Sequence, residues 1–266
     1  MKIKKILVLI FFSLTIMKNS FAKECFIASE NNNIIYQEGD CDTRYTPAST
    51  FKIAISLMGF DTGILIDETH PTWDFKPDYV DWLDRWKQPH NPKLWLANSC
   101  VWFSQIVTKK LGANIFSEYV RKFNYGNNDV SGDITLANGL TDSWLSSSLA
   151  ISPREQINFI NQLNANQLDV SLEAHTKTKN IMYLERLPDG WELYGKTGNG
   201  SQLDANGKKI KDRQIGWFVG FVKKNNIVIT FVQLIADESK QETYASLRAK
   251  EKLKNNLEKM IINHSP

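Results

Sequence analysis

Apolar residues along this chain cluster at its two ends, and their period changes between them. Cys25 to Ala28 and Asn33 to Gln37 are short β-favouring runs on either side of Ser29-Glu30-Asn31-Asn32, which predicts a hairpin. Pro47 then stands just before a dense apolar segment containing Phe51, Ile53, Ala54, Leu57 and Met58. Proline is tolerated at a helix start, so a buried helix is expected over Ser49 to Phe60. From about residue 60 to 186 the signals are helical or loop-like: Trp102 to Leu111, Ile115 to Phe123 and Pro153 to Leu163 are separated by Asn, Gly and Pro clusters. Strand character returns at Trp191 to Thr197, Ile215 to Lys223 and Ile227 to Leu234. A closing helix is expected over Tyr244 to Ile262, with Leu247, Leu253, Leu257 and Ile261 near one face. Strands at both ends with helices between them predict an α+β fold. Its antiparallel sheet is built from both chain ends and flanked by helices, with an inserted helical lobe. The α/β lobe would comprise about 23–59 and 187–266, and the helical lobe about 60–186.

Residues 1–22 have the pattern of a secretory signal: Lys2, Lys4 and Lys5, an apolar run from Ile6 to Met17, and Ser20-Phe21-Ala22 as a cleavage site. The run is short for a bilayer span, and Lys23-Glu24 before Cys25 is not a lipid-attachment context. Residues 23–266 are therefore expected as one soluble exported domain, periplasmic and without a membrane anchor after cleavage. Removing Lys2, Lys4, Lys5 and Lys18 takes the formal charge from +3 to −1, which gives no reason to expect nucleic acid as a partner. Cys25 and Cys41 lie where an oxidising compartment permits a disulfide, while Cys100 sits in an apolar stretch. The histidines at 70, 90, 175 and 264 stand singly, without metal-ligand spacing, so no metal is expected.

Lys196 carries two competing readings. Gly190 through Gly195 to Lys196-Thr197 matches the phosphate-loop expression G-x-x-x-x-G-K-[ST]. Such a loop needs a flexible bend and then a helix, whereas Trp191, Glu192, Leu193 and Tyr194 favour a strand and Gly-Asn-Gly-Ser follows Thr197. Nucleotide binding is rejected. A lysine that only solvates a sheet edge, and one that holds an anionic substrate beside the Thr197 hydroxyl, both remain open on this segment alone.

Ser49-Thr50-Phe51-Lys52 places a serine and a lysine three apart on the expected helix, so both face the same way. The expression S-x-x-K occurs twice, the other copy running from Ser20 to Lys23, so by itself it proves little. The setting at 49 differs, because free N–H groups of a first helical turn stabilise an oxyanion and apolar neighbours favour a neutral lysine. Ser99-Cys100-Val101 and Tyr125-Gly126-Asn127 follow, each weak alone.

The order Ser-x-x-Lys, Ser-x-Val, Tyr-Gly-Asn, Lys-Thr-Gly at 49, 99, 125 and 196 resembles the oxacillinase-type class D serine β-lactamases. The likeness covers essentially the whole chain after residue 22. Pro47-Ala48-Ser49-Thr50-Phe51-Lys52, Trp144-Leu145 before Ile151-Ser152-Pro153, and Gly216-Trp217-Phe218-Val219-Gly220 strengthen it. The resemblance implies hydrolysis of penicillin-type β-lactams, with Ser49 as nucleophile and Lys52 carboxylated by carbon dioxide to N6-carboxylysine, the general base; no other cofactor is implied. It makes Ser99 a proton relay to the leaving nitrogen and Trp144 a donor to the carbamate, among Phe51, Val101 and Leu145. Lys196, Thr197 and Arg248 would hold the substrate carboxylate, and the N–H groups of Ser49 and Asn199 the oxyanion. Val101, Tyr125 and Gly198 complete the expected substrate-binding set. A class A enzyme would carry Ser-Asp-Asn at 99–101 and a separate glutamate, and class C proteins are longer. A penicillin sensor domain, which stays acylated, and a cell-wall transpeptidase or carboxypeptidase share the chemistry but normally carry membrane segments or extra domains. Continuous turnover separates an enzyme from both.

Overall fold

The computed structural model describes residues 23–262, with the side chains of the closing helix described through Leu257; the expected export signal and His264 lie outside these residues. In chain order the elements are β1 (Lys23–Glu30), β2 (Asn33–Gly39), α1 (Lys52–Asp61), α2 (Pro92–Asn98), α3 (Val101–Leu111) and α4 (Ala113–Lys122). They continue with α5 (Gly139–Asp142), α6 (Pro153–Asn164), α7 (Leu172–Ile181), β3 (Tyr183–Arg186), β4 (Glu192–Leu203), β5 (Lys209–Lys224), β6 (Ile227–Ala236) and α8 (Ala245–Ile262). The strands form one six-stranded antiparallel sheet in the order β2-β1-β6-β5-β4-β3. The expected fold class, with both chain ends sharing one sheet, is what the molecule has. Cys25 and Cys41 are joined by a disulfide across a Cα separation of 5.1 Å, and Cys100 is free and buried.

Several boundaries differ from the sequence reading. Ser49 does not open an α-helix; it lies in a 3-10 turn over Ala48–Phe51 that runs into α1 at Lys52. Residues 199–213, polar and lying between the expected strands Trp191 to Thr197 and Ile215 to Lys223, are mostly strand. β4 continues to Leu203, β5 begins at Lys209, and a tight turn is closed by Asp204 Oδ1 accepting from the Asn206 and Lys208 N–H groups. Backbone pairing across the sheet overrides the polar side chains, as Asn199↔Gly216 and Ser201↔Gln214 show. Tyr183–Arg186, placed among helices by the sequence, forms the edge strand β3. On α8, Leu247 is 56% exposed, and the buried stripe is Ala245, Ala249, Leu253 and Leu257. These repeat every four residues, and a position two residues away lies on the opposite side at about 100° per residue. Gly216 lets this stripe dock, because a Cβ there would stand 2.0 Å from the Ala245 carbonyl carbon.

Two apolar cores sandwich the sheet. The larger joins the sheet to the helices around Phe51, Trp95, Trp102, Trp144 and Trp217, and the smaller lies under α8 around Phe218, Phe231 and Leu253. Lys52 is among the largest fully buried side chains, in the company of those tryptophans. Among the described residues, no helix is long and apolar enough to cross a membrane.

Candidate active site

The 3-10 turn has a chemical consequence. At three residues per turn, positions i and i+3 eclipse, so Ser49 stands directly over Lys52. Lys52 Nζ lies 3.2 Å from Ser49 Oγ in donor geometry. No carboxylate offsets the burial of this amine, and desolvation lowers its pKa to about 7. Ala48, one residue before Ser49, is held at φ +48°, a left-handed conformation that is unfavourable for a residue with a Cβ. Local strain of this kind concentrates at functional sites.

Ser99 is also left-handed, at φ 56°, ψ 31°, and ends α2 rather than capping the start of a helix. Its N–H and that of Cys100 capture the Leu96 and Trp95 carbonyls at 3.3 and 3.1 Å, which satisfies the end of the helix. The preceding residue is fixed from outside. Asn98 Nδ2 meets Nε2 of the buried His90 at 3.1 Å, and the Asn98 carbonyl accepts from Trp86 Nε1 at 2.9 Å. Ser99 Oγ thereby points across the cleft, where it accepts a hydrogen bond from Lys196 Nζ.

The cleft exists because β3 is short. It pairs with β4 only as far as Tyr194, and beyond that the β4 edge over Lys196 to Asn199 has no strand neighbour on its outer side among the described residues. An open edge offers backbone groups as well as side chains to a bound molecule. Gly198 brings this edge against the 3-10 turn: a Cβ there would lie 2.8 Å from the Pro47 carbonyl oxygen. Lys196 is buried and also donates to the Thr197 carbonyl at 2.8 Å. Its pKa is driven well below the usual lysine range, first by burial and then by the positive charges of Lys52, Arg85 and Lys250. No acid appears among those causes, which leaves the ammonium in want of an anion.

The structure therefore brings Ser49, Lys52, Ser99, Lys196, Thr197, Gly198 and Asn199 to one cleft. Lys196 stands in the middle of a strand that no helix follows, in keeping with the rejection of a phosphate loop. Trp144 is fully buried, its ring 5.6 Å from that of Phe51, and its indole N–H has no acceptor among the described residues. Val101 is buried at the first turn of α3, and Leu145 packs on the larger core. Arg248 is half-buried rather than a solvated helix residue. Its Nη2 donates to Oδ2 of the buried Asp237 at 2.6 Å, and its Nε has no partner among the described residues.

Tyr125 requires a correction. It is 0% exposed, sits edge-on 5.0 Å from Phe51, and belongs to the floor beneath the nucleophile rather than to a substrate-binding wall. Other supporting residues carried no motif. Thr46 donates to the Trp144 carbonyl at 2.9 Å and accepts from Ser146 N–H at 3.0 Å, and Ser146 Oγ accepts from Ser201 N–H at 2.9 Å. Gln156 donates to Thr50 Oγ1 at 2.8 Å. Asn98, His90 and Asp237 were likewise missed, because each acts through a side-chain partner outside the span of any short motif. Among the described residues there is no group of three or more His, Cys, Asp or Glu able to hold a metal ion.

A serine over a desolvated lysine, faced by a second serine and an open lysine-bearing strand edge, defines an active-serine site of the penicillin-recognising type. In agreement, residues 15–258 match the penicillin binding protein transpeptidase domain. The chain is 41% identical over 260 residues to Beta-lactamase OXA-9 of Klebsiella pneumoniae, an alignment covering 93% of this chain and 95% of the relative. It is 40% identical over 231 residues to Beta-lactamase OXA-1 of Escherichia coli, covering 85% and 80%. The crystal structure of the class D β-lactamase OXA-427 superposes with a TM-score of 0.86 at 40% identity, covering 90% of this chain and 99% of that one. The chain belongs to the class D serine β-lactamases, hydrolases that open β-lactams through a serine acyl-enzyme.

Proposed function

We propose that this protein hydrolyses penicillin-type β-lactams through an acyl-enzyme on Ser49, with Lys52 carboxylated in the resting state, and so confers antibiotic resistance. The observation that carries the reading is the fully buried Lys52 amine beside Ser49, with the Trp144 indole, whose N–H has no acceptor among the described residues, packed 5.6 Å from the ring of the neighbouring Phe51. Carbon dioxide added to Lys52 Nζ supplies an anionic oxygen that can accept a proton, and burying that charge requires a donor. Trp144 fits as that donor, and Phe51, Val101 and Leu145 exclude water around it.

Ser49 attacks the lactam carbonyl as Lys52 takes its proton. The N–H groups of Ser49 and Asn199 receive the oxyanion, since first-turn N–H groups lack intrahelical acceptors. Ser99, already bonded to Lys196, passes a proton to the departing nitrogen. Lys196, Thr197 and Arg248 bind the substrate carboxylate, with Gly198 keeping the strand close. Residues 1–22 serve as an export signal, and 23–266 form the periplasmic catalytic domain, with 60–186 as its helical lobe. A chromogenic β-lactam provides the test. Linear product release over many turnovers supports hydrolysis, while one stoichiometric burst would make the protein a sensor or transpeptidase instead.

Arg248→Ala should raise KM roughly tenfold or more and change kcat less, the signature of lost uniform binding from a charge-assisted bond. The same change strands the buried Asp237 carboxylate, at a cost on the order of 3 kcal/mol. Adding Asp237→Asn should restore stability by thermal melting without restoring KM. An unchanged KM in Arg248→Ala would return the residue to a purely structural pair.

A further inference from the structure

Two hydroxyls fasten the loop that carries Trp144 to the sheet. Thr46 stands at the junction, three residues before Ser49, and its carbonyl accepts from Trp217 Nε1 on β5 at 2.9 Å. Its buried hydroxyl works in both directions, donating to the Trp144 carbonyl at 2.9 Å and accepting from the Ser146 N–H at 3.0 Å. Ser146, held left-handed at φ 57°, presents its own Oγ to the Ser201 N–H, which donates to it at 2.9 Å. Ser201 lies on β4 two residues past Asn199, so the Trp144 loop is tied to the strand that forms the cleft edge. The seat is close: a Cβ on Gly200 would stand 3.0 Å from Ser146 Oγ and 3.1 Å from Thr46 Cγ2. Beyond the junction, Thr46, Ser147, Ser148 and Ser201 line a cavity of about 960 Å³. On that side the loop faces open space rather than packed side chains, so directional hydrogen bonds hold it in place.

We propose that Thr46 and Ser146 are positioning residues: they lock the Trp144 loop between Trp217 and β4, and so hold the indole N–H where it meets a carbamate on Lys52. A hydrogen bond weakens steeply as its geometry departs from linear, and a displaced donor leaves a buried anion uncompensated. Phe51 and Phe116 pack against the Trp144 ring at 5.6 and 6.2 Å and constrain its plane. Thr46 fixes the backbone from which that ring projects. The lock rests on the carboxylated-lysine reading above and adds to it the residues that set how fully Lys52 is carboxylated.

Thr46→Val keeps the shape of the side chain and removes both of its hydrogen bonds, whereas Thr46→Ser keeps the hydroxyl. In Thr46→Val the bicarbonate concentration for half-maximal activity should rise about tenfold, and deacylation should slow about tenfold while acylation stays within about threefold. The carbamate signal in carbon-13 NMR with labelled bicarbonate should fall in step, and Thr46→Ser should restore all three readings. Ser146→Ala, which removes the tie to Ser201 alone, should move them in the same direction by less. A Thr46→Val protein that melts at lower temperature but keeps the wild-type carbamate signal and bicarbonate requirement would overturn the lock, as would parallel losses of acylation and deacylation. If Thr46→Val does not fold, Ser146→Ala carries the test, and wild-type carboxylation in that variant overturns the lock equally. A wild type without a carbamate signal at any bicarbonate concentration removes the carboxylated-lysine reading itself, and the lock with it.

Discussion

Ser49→Ala should lose β-lactam turnover by a factor on the order of 10³ or more, and should no longer acquire a covalent adduct when treated with a slow substrate. Ser49 and Ser99 each have a lysine amine within hydrogen-bond reach, but Lys196 beside Ser99 stands on the open strand edge, whereas Lys52 is fully buried 3.2 Å from Ser49 Oγ. Ser99 accepts a hydrogen bond from Lys196, which suits the proton relay proposed for it. Because Ser49 and Lys52 act as one unit, Lys52→Ala should cost about as much as Ser49→Ala, and the double variant little more. Intact-mass and peptide mapping decide the matter: an adduct that persists in Ser49→Ala, or one that maps to Ser99 in the wild type, removes Ser49 as the nucleophile.

The second large effect is expected from Trp144. Trp144→Ala should lower Lys52 carboxylation and slow deacylation, roughly a hundredfold, more than it slows acylation, so that acyl-enzyme accumulates. Truncating a buried tryptophan also leaves a cavity costing about 3–5 kcal/mol. Trp144→Phe separates the two causes, since it keeps an aromatic ring while removing the N–H. Carboxylation is read directly as a carbamate signal by carbon-13 NMR with labelled bicarbonate, independently of activity. The pH dependence follows from burial. With its pKa lowered to about 7, Lys52 is a neutral amine above that pH and an ammonium below it, and only the neutral form adds carbon dioxide. Activity should therefore fall on the acid side of about 7 and be partly restored by added bicarbonate. Folding stability carries the same sign. Between about pH 7 and the unfolded lysine value of about 10.4, the unfolded chain binds more protons, so this residue's contribution to stability rises with pH across that window. Normal deacylation in both Trp144 variants, together with full activity in bicarbonate-free buffer across pH, would leave Lys52 working as a free amine.

What the sequence could show was set by short-range patterning. Spacing of three residues put Ser49 and Lys52 on one face, and the bulky Trp191 to Tyr194 run identified a strand and excluded a phosphate loop. Strand signals at both ends, enclosing helical ones, were enough for the fold class. The misreadings arose where long-range backbone pairing or docking prevailed over local preference. The polar residues after Asn199 became strand because β5 pairs with them, and Tyr183–Arg186 became an edge strand because β4 was beside it. Tyr125 went under Phe51 rather than into the cleft, and Leu247 faced outward because a four-residue stripe docks on Gly216. Only the tertiary structure could decide how each group in the site is tuned. Burial shifts Lys52, the Trp144 N–H is left without an acceptor among the described residues, His90 and Asn98 hold Ser99 in its left-handed turn, and Asp237 secures Arg248. Each depends on groups outside its own motif or on the exclusion of water, and neither is encoded in the spacing of a motif.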